Sequence, residues 1–251
     1  MESDRSYLAL GHLAIYSETN GRMLSSEARI ATPRRRSWTA AMLALVLVWG
    51  QGTSDLAAQD GGPAPFVAAA RLVPGGPAVY LGSGLLLTAA HVVNPAVEIT
   101  VLIAGVKLPV SVVKQGLFDK VDLSLLHVDQ SRLPSTLPSV PICSAPPWPG
   151  DPVVVISSGQ ATRSTIVPPS VLPAFYQHRF PTLIGDVATT GNSGSGVFDP
   201  TKKCLLGIMS RKFTVSGKDI AKYFVSADLI RTFLKGVKLP SDNPENAGTA
   251  P

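Results

Sequence analysis

From about residue 66 onward the chain alternates short apolar runs with turn-forming residues. Ala78-Val79-Tyr80-Leu81, Gly84-Leu85-Leu86-Leu87-Thr88, Val97-Glu98-Ile99-Thr100-Val101-Leu102 and Val153-Val154-Val155-Ile156 are separated by Gly, Pro, Ser and Asp. Runs of this length and punctuation predict β-strands, and their rhythm predicts antiparallel barrels. One helix breaks the pattern near the end: Ser226 is placed to cap a segment carrying Leu229, Ile230, Phe233 and Leu234, with Lys235 near its C-terminus. From Leu239 onward apolar content falls and three Pro appear, which predicts a disordered tail over 239–251.

The N-terminal part follows a different logic. An apolar segment from Thr39 to Trp49 follows Arg34-Arg35-Arg36 and precedes a polar stretch ending in Leu56-Ala57-Ala58-Gln59. It is shorter than the roughly 20 residues that span a bilayer, so residues 1–58 read as an N-terminal extension and secretory signal with cleavage near Ala58. An uncleaved anchor is the alternative. Arg35-Arg36-Ser37-Trp38 matches a twin-arginine signal weakly, an ordinary n-region accounts for the same charges, and Met23 is an alternative start. The remaining 193 residues suit one compact unit or two small barrels sharing a core, with Pro134–Pro149 as the crossover.

With 45% hydrophobic and 16% charged residues the chain is too apolar to stay disordered. Its net charge of +5 is dispersed, so nucleic acid is not an expected partner, and contact with a membrane is expected only through the signal. Lys202-Lys203 and Arg211-Lys212 read as solvated turn or strand-edge residues. Two Cys and four His, with no C-x-x-C, leave little for a metal, and no cofactor is expected.

Three segments carry candidate chemistry. Leu87-Thr88-Ala89-Ala90-His91 leads small residues to a His; Val121-Asp122-Leu123-Ser124-Leu125-Leu126 embeds a carboxylate in an apolar strand; Gly191-Asn192-Ser193-Gly194-Ser195-Gly196 places a Ser in a Gly-rich turn. Singly these read as a core His, a costly buried Asp and a tight turn. Together they explain one another: a base for the Ser proton, a carboxylate holding the imidazole tautomer, and backbone N–H donors around the nucleophile.

In these motifs, and in their order, the sequence resembles the trypsin-like (chymotrypsin-fold) serine proteases, especially bacterial secreted branches such as the Deg/HtrA protease domains and the glutamyl endopeptidases. The resemblance spans roughly 66–235 and implies an all-β fold of two antiparallel β-barrels with a C-terminal α-helix, the first over 59–138 and the second over 139–238. It implies a serine endopeptidase acting on proteins or peptides. Ser193 would be the nucleophile, His91 the general base, Asp122 the orienting carboxylate, and the N–H groups of Gly191 and Ser193 the oxyanion hole. Leu206-Gly207-Ile208-Met209-Ser210 resembles the strand lining the primary pocket, with Ser210 bonded to the carboxylate. Val187 takes the position of trypsin's specificity Asp and Met209 that of a glutamyl-endopeptidase His, so cleavage after small or medium aliphatic residues is expected. Lys212 would stand at the pocket rim or be a solvated strand-edge lysine.

Two thiols behind an export signal are expected to form one disulfide, Cys143–Cys204, and the resemblance supports that pairing; buried free thiols are the alternative. Export would deliver a secreted or periplasmic protein, expected as a monomer. Asn192 replaces the Asp of the digestive relatives, so their zymogen activation is not expected. With sixteen residues after Lys235, a Deg-type peptide-binding domain is not expected. His127, Asp129 and His178 read as structural or solvated. An α/β-hydrolase is disfavoured because Gly191-Asn192-Ser193-Gly194-Ser195 lacks the final Gly of its motif and the chain order is reversed. A catalytically silent binding protein on the same scaffold is the competing function.

Overall fold

The computed structural model describes residues 66–185 and 192–237. The expected signal region, the tail, Val187 and Gly191 lie outside them. Among the described residues no helix is long and apolar enough to cross a membrane.

The first sheet contains β1 (Ala69–Val73), β2 (Pro77–Gly82), β3 (Leu85–Thr88), β4 (Thr100–Ile103), β5 (Val106–Pro109), β6 (Ser111–Gln115) and β7 (Ser124–His127). Its antiparallel order is β5-β4-β1-β2-β3-β7-β6. The two edge strands are consecutive in the chain, joined by Val110 alone, so the sheet curls far enough to bring its two edges together at that point. The second sheet is a closed six-stranded barrel of β8 (Pro152–Ser157), β9 (Gln160–Val167), β10 (Leu183–Ile184), β11 (Gly196–Asp199), β12 (Cys204–Val215) and β13 (Lys218–Ser226), in the order β10-β13-β12-β11-β8-β9. β10 pairs with β9 and completes the ring. This is the expected all-β architecture of two antiparallel barrels.

The continuous apolar runs have a packing cause. In β2 and β3 every residue is buried, because one face fills the strands' own barrel and the other covers the second barrel. Tyr80 and Leu86 join Leu72, Val101, Ile103 and Leu108 inside the first barrel. Val79, Leu81, Leu85 and Leu87 point the other way and share a core with Phe198, Ile208, Phe213 and Tyr223 of the second. Phe198 and Phe213 are fully buried, each contributing roughly 2–3 kcal/mol by transfer from water.

A short helix, α1 (Ala174–Gln177), lies between β9 and β10, and α2 (Ala227–Phe233) follows β13. The Ser226 hydroxyl caps α2 by accepting from the Leu229 N–H, as expected. Ile230, Phe233 and Leu234 turn into the shared core, whereas Leu229 lies on the exposed side. The run beginning at Val97 gives a shorter strand than its length predicts: a turn at 95–96, closed by the Val97 N–H on the Asn94 carbonyl (3.1 Å), leaves 97–99 irregular before β4. Cys143 and Cys204 form the expected disulfide, with Cα atoms 5.1 Å apart. The bond fastens the segment before β8 to the first residue of β12, beside an Ile142–Leu205 bridge.

Candidate active site

β3 delivers His91. The small residues Ala89 and Ala90 are buried and let the chain tighten into a 3-10 turn over Ala90–Val92, which lifts His91 off the sheet. The Ala90 carbonyl accepts a hydrogen bond from the Gln115 side-chain amide (3.1 Å), and the Gln115 Oε1 accepts from the buried Ser124 hydroxyl (2.7 Å). The turn is therefore tied to β6 and β7. His91 Nδ1 stands 2.8 Å from Asp122 Oδ2, and the His91 backbone N–H donates to Oδ1 (3.1 Å). An ionised carboxylate can only accept, so Nδ1 is the donor to Asp122 and Nε2 is left on the side of the ring away from it.

Asp122 does not lie within a strand as its apolar neighbours predict. It precedes β7, at the centre of a tight turn in which the Leu123 N–H donates to the Val121 carbonyl (2.9 Å). Leaving the ladder frees its side chain to point at His91. Gly116 makes the turn possible: its N–H donates to the Leu123 carbonyl (2.8 Å), and a Cβ there would stand 2.1 Å from the Val121 oxygen. The Asp122 carboxylate is 2% exposed, and the Ser210 hydroxyl gives it a third hydrogen bond, 2.6 Å to Oδ2. Three donors offset the desolvation of a buried charge.

Ser193 sits in a turn pinned to β12 from both sides. The Ser195 N–H donates to the Asn192 carbonyl (3.0 Å), the Gly194 N–H to the Met209 carbonyl (2.9 Å), and the Met209 N–H to the Ser195 carbonyl (2.9 Å). Gly194 adopts φ +92°, a backbone conformation open to glycine. The Ser193 hydroxyl donates to the Ser210 carbonyl (3.1 Å). Ser210 thus touches both halves of the constellation, its hydroxyl on Asp122 and its carbonyl on Ser193. His91 and Asp122 come from the first barrel, Ser193 and Ser210 from the second.

Residues 76–208 match the family model of the trypsin-like peptidase domain, more than half of the chain. The chain belongs to the trypsin-like peptidase family. No curated protein sequence matches it. Among solved structures this trypsin-like peptidase is similar to the Rv3671c protease of M. tuberculosis in its inactive form, at 21% identity and a TM-score of 0.50 over 69% of this chain and 96% of that one. It is also similar to kallikrein-related peptidase 10, at 19% identity and a TM-score of 0.50 over 66% and 93% of the respective chains. These likenesses carry the fold.

Around the constellation, Met209 is buried among Ile184, Val197, Leu206 and Phe224 of the second barrel. Lys212 Nζ lies 3.0 Å from Asp219 Oδ2 across the β12–β13 hairpin, and Asp219 Oδ1 accepts from the Thr214 hydroxyl (2.6 Å). The Thr214 hydroxyl, then Lys212, hold Asp219 below the usual carboxylate range. His127 ends β7 exposed, Asp129 caps a turn through Ser131, and His178 is exposed at the end of α1, so the structure brings none of them to the peptidase's constellation.

Arg211 departs from its expected solvated position and is only 8% exposed. Its guanidinium lies 4.0 Å above the centre of the Phe118 ring, which supplies a face that competes with water. Phe118 in turn meets the His91 ring edge-on, centroids 5.1 Å apart. Neither Phe118 nor Gln115 carries a sequence signal for these roles, because both act through partners brought near by barrel closure.

Proposed function

We propose that this peptidase is an exported serine endopeptidase that cleaves peptide bonds through an acyl-enzyme. One observation carries the reading: Asp122, buried, accepts from His91 and Ser210 at once, while Ser210 holds the Ser193 hydroxyl. A rotation about the Ser193 side-chain bond transfers its hydroxyl from the Ser210 carbonyl to His91 Nε2. Oγ then attacks the substrate carbonyl carbon as its proton passes to Nε2, and the C=O π pair moves to oxygen. The N–H groups of Ser193 and Gly191 receive that oxyanion. Collapse breaks the C–N bond, His91 returns the proton to the leaving amine, and water repeats the sequence on the ester. Asp122 stabilises the imidazolium throughout.

The disulfide supports an oxidising compartment, and hence export. The apolar Val187 and Met209 favour an aliphatic residue before the scissile bond, and the pairing of Lys212 with Asp219 favours its being a bystander. Dominant cleavage of a peptide library after Arg or Lys would reject that preference. A catalytically silent binding protein is favoured by a different observation, that the Ser193 hydroxyl faces the Ser210 carbonyl and not His91. A serine-directed phosphonate separates the two: covalent labelling of wild type and loss of peptidase turnover in Ser193→Ala support the enzyme, whereas an unlabelled, folded wild type supports the silent scaffold.

A further inference from the structure

Arg211 follows Ser210 in β12 and faces Tyr223 of β13. Its guanidinium is stacked between the rings of Phe118 (4.0 Å) and Phe180 (5.0 Å), its Nη2 donates to the Phe118 carbonyl, and its Nε has no partner. Among the described residues no carboxylate forms an ion pair with it. An arginine stays protonated even so, and burying its charge without a contacting counter-ion is costly. If holding Phe118 were its whole task, an apolar side chain would do it more cheaply.

What an apolar side chain lacks is charge. Through Phe118 the guanidinium carbon lies within about 9 Å of the His91 ring centre. Asp122, in direct contact with His91, is the charge of opposite sign at the ring. The other titratable groups of the surrounding elements are weak opponents: Asp119 and Arg179 are largely exposed and stand 3.9 Å from one another, and burial pushes the Tyr223 phenol up, keeping it neutral. Arg211 is the buried cation nearby, and Asp122 is the carboxylate that most offsets the cost of burying it.

We propose that Arg211 is a positioning residue for the imidazole, clamping Phe118 against His91 while its fixed charge opposes that of Asp122. The inference rests on the proposed role of His91 as base. The test is the pH dependence of kcat/KM for wild type, Arg211→Met, Arg211→Gln, Arg211→Lys and Phe118→Leu, each normalised to phosphonate-titrated sites. Loss of the charge in Arg211→Met, or in Arg211→Gln, which retains a donor for the Phe118 carbonyl, moves the acid limb up by roughly half to one pH unit. Arg211→Lys restores the limb. Phe118→Leu keeps the charge, leaves the limb near wild type and lowers kcat. An unmoved limb in both uncharged variants, or an equal movement in Arg211→Lys, overturns the proposal while leaving the peptidase reading intact. A wild type that takes up no phosphonate overturns both.

Discussion

Ser210→Ala removes one of the three hydrogen bonds on the buried Asp122 carboxylate and little else. The Ser210 carbonyl, being backbone, still receives the Ser193 hydroxyl. A hydrogen bond to an ionised, desolvated group is worth about 1.5–3 kcal/mol, so unfolding calorimetry should register a loss of roughly 2 kcal/mol. In turnover, the carboxylate opposite the forming imidazolium becomes one bond freer. If the whole of that energy is expressed in the transition state, kcat falls by about 10- to 150-fold with KM nearly constant, because Ser210's hydroxyl faces Asp122 and not the substrate. Steady-state kinetics normalised to labelled sites measures the split. A variant with wild-type melting behaviour and kcat within about twofold of wild type would refute the claim that this bond holds the carboxylate in place.

Three further outcomes follow from the same geometry. Gly194→Ala sets a Cβ 2.2 Å from the Pro77 carbonyl oxygen and 2.4 Å from Thr88 Oγ1 at φ +92°; the turn must shift, and a displacement of Ser193 by about 1 Å costs on the order of 100-fold in kcat/KM. Reduction of Cys143–Cys204, which closes a loop over 61 positions, should lower unfolding free energy by about 2–4 kcal/mol in denaturant titrations run with and without reductant. Because Thr214 and Lys212 depress the Asp219 carboxyl, their stabilisation is present above the ordinary carboxylate range and lost as pH falls through the depressed value. Asp219→Asn should therefore cost a few tenths of a kcal/mol near neutrality, roughly nothing well below pH 4, and calorimetry at the two pH values reads the difference.

The strands, the helix cap and the four residues of the constellation were legible in the sequence because each leaves a local trace. Small residues precede His91, an Asp stands among leucines, glycines flank Ser193, and Ser226 opens an apolar helix face. Asp122 was legible as a residue but not as a conformation: its neighbours have strand character, and only the close approach of Gly116 to the Val121 carbonyl reveals the turn. Arg211 was misread for a different reason. Its neighbour Lys212 is partly solvated and pairs with Asp219, and nothing in two adjacent cations tells which one will find an aromatic face 93 positions earlier in the chain. Gln115 is hidden in the same way, since its partners Ala90 and Ser124 meet it only after β6 pairs with β7.

The division of the site between the barrels also sets a timetable. His91 and Asp122 are made early, but the hydroxyl that anchors the carboxylate arrives 88 residues later. On the proposed mechanism, a chain stalled or cut anywhere before Ser210 carries its base with an incompletely held partner, and one cut before Ser193 has no nucleophile at all. On that mechanism every incomplete product of synthesis is inert, and the site is completed only when β12 takes its place against the first barrel.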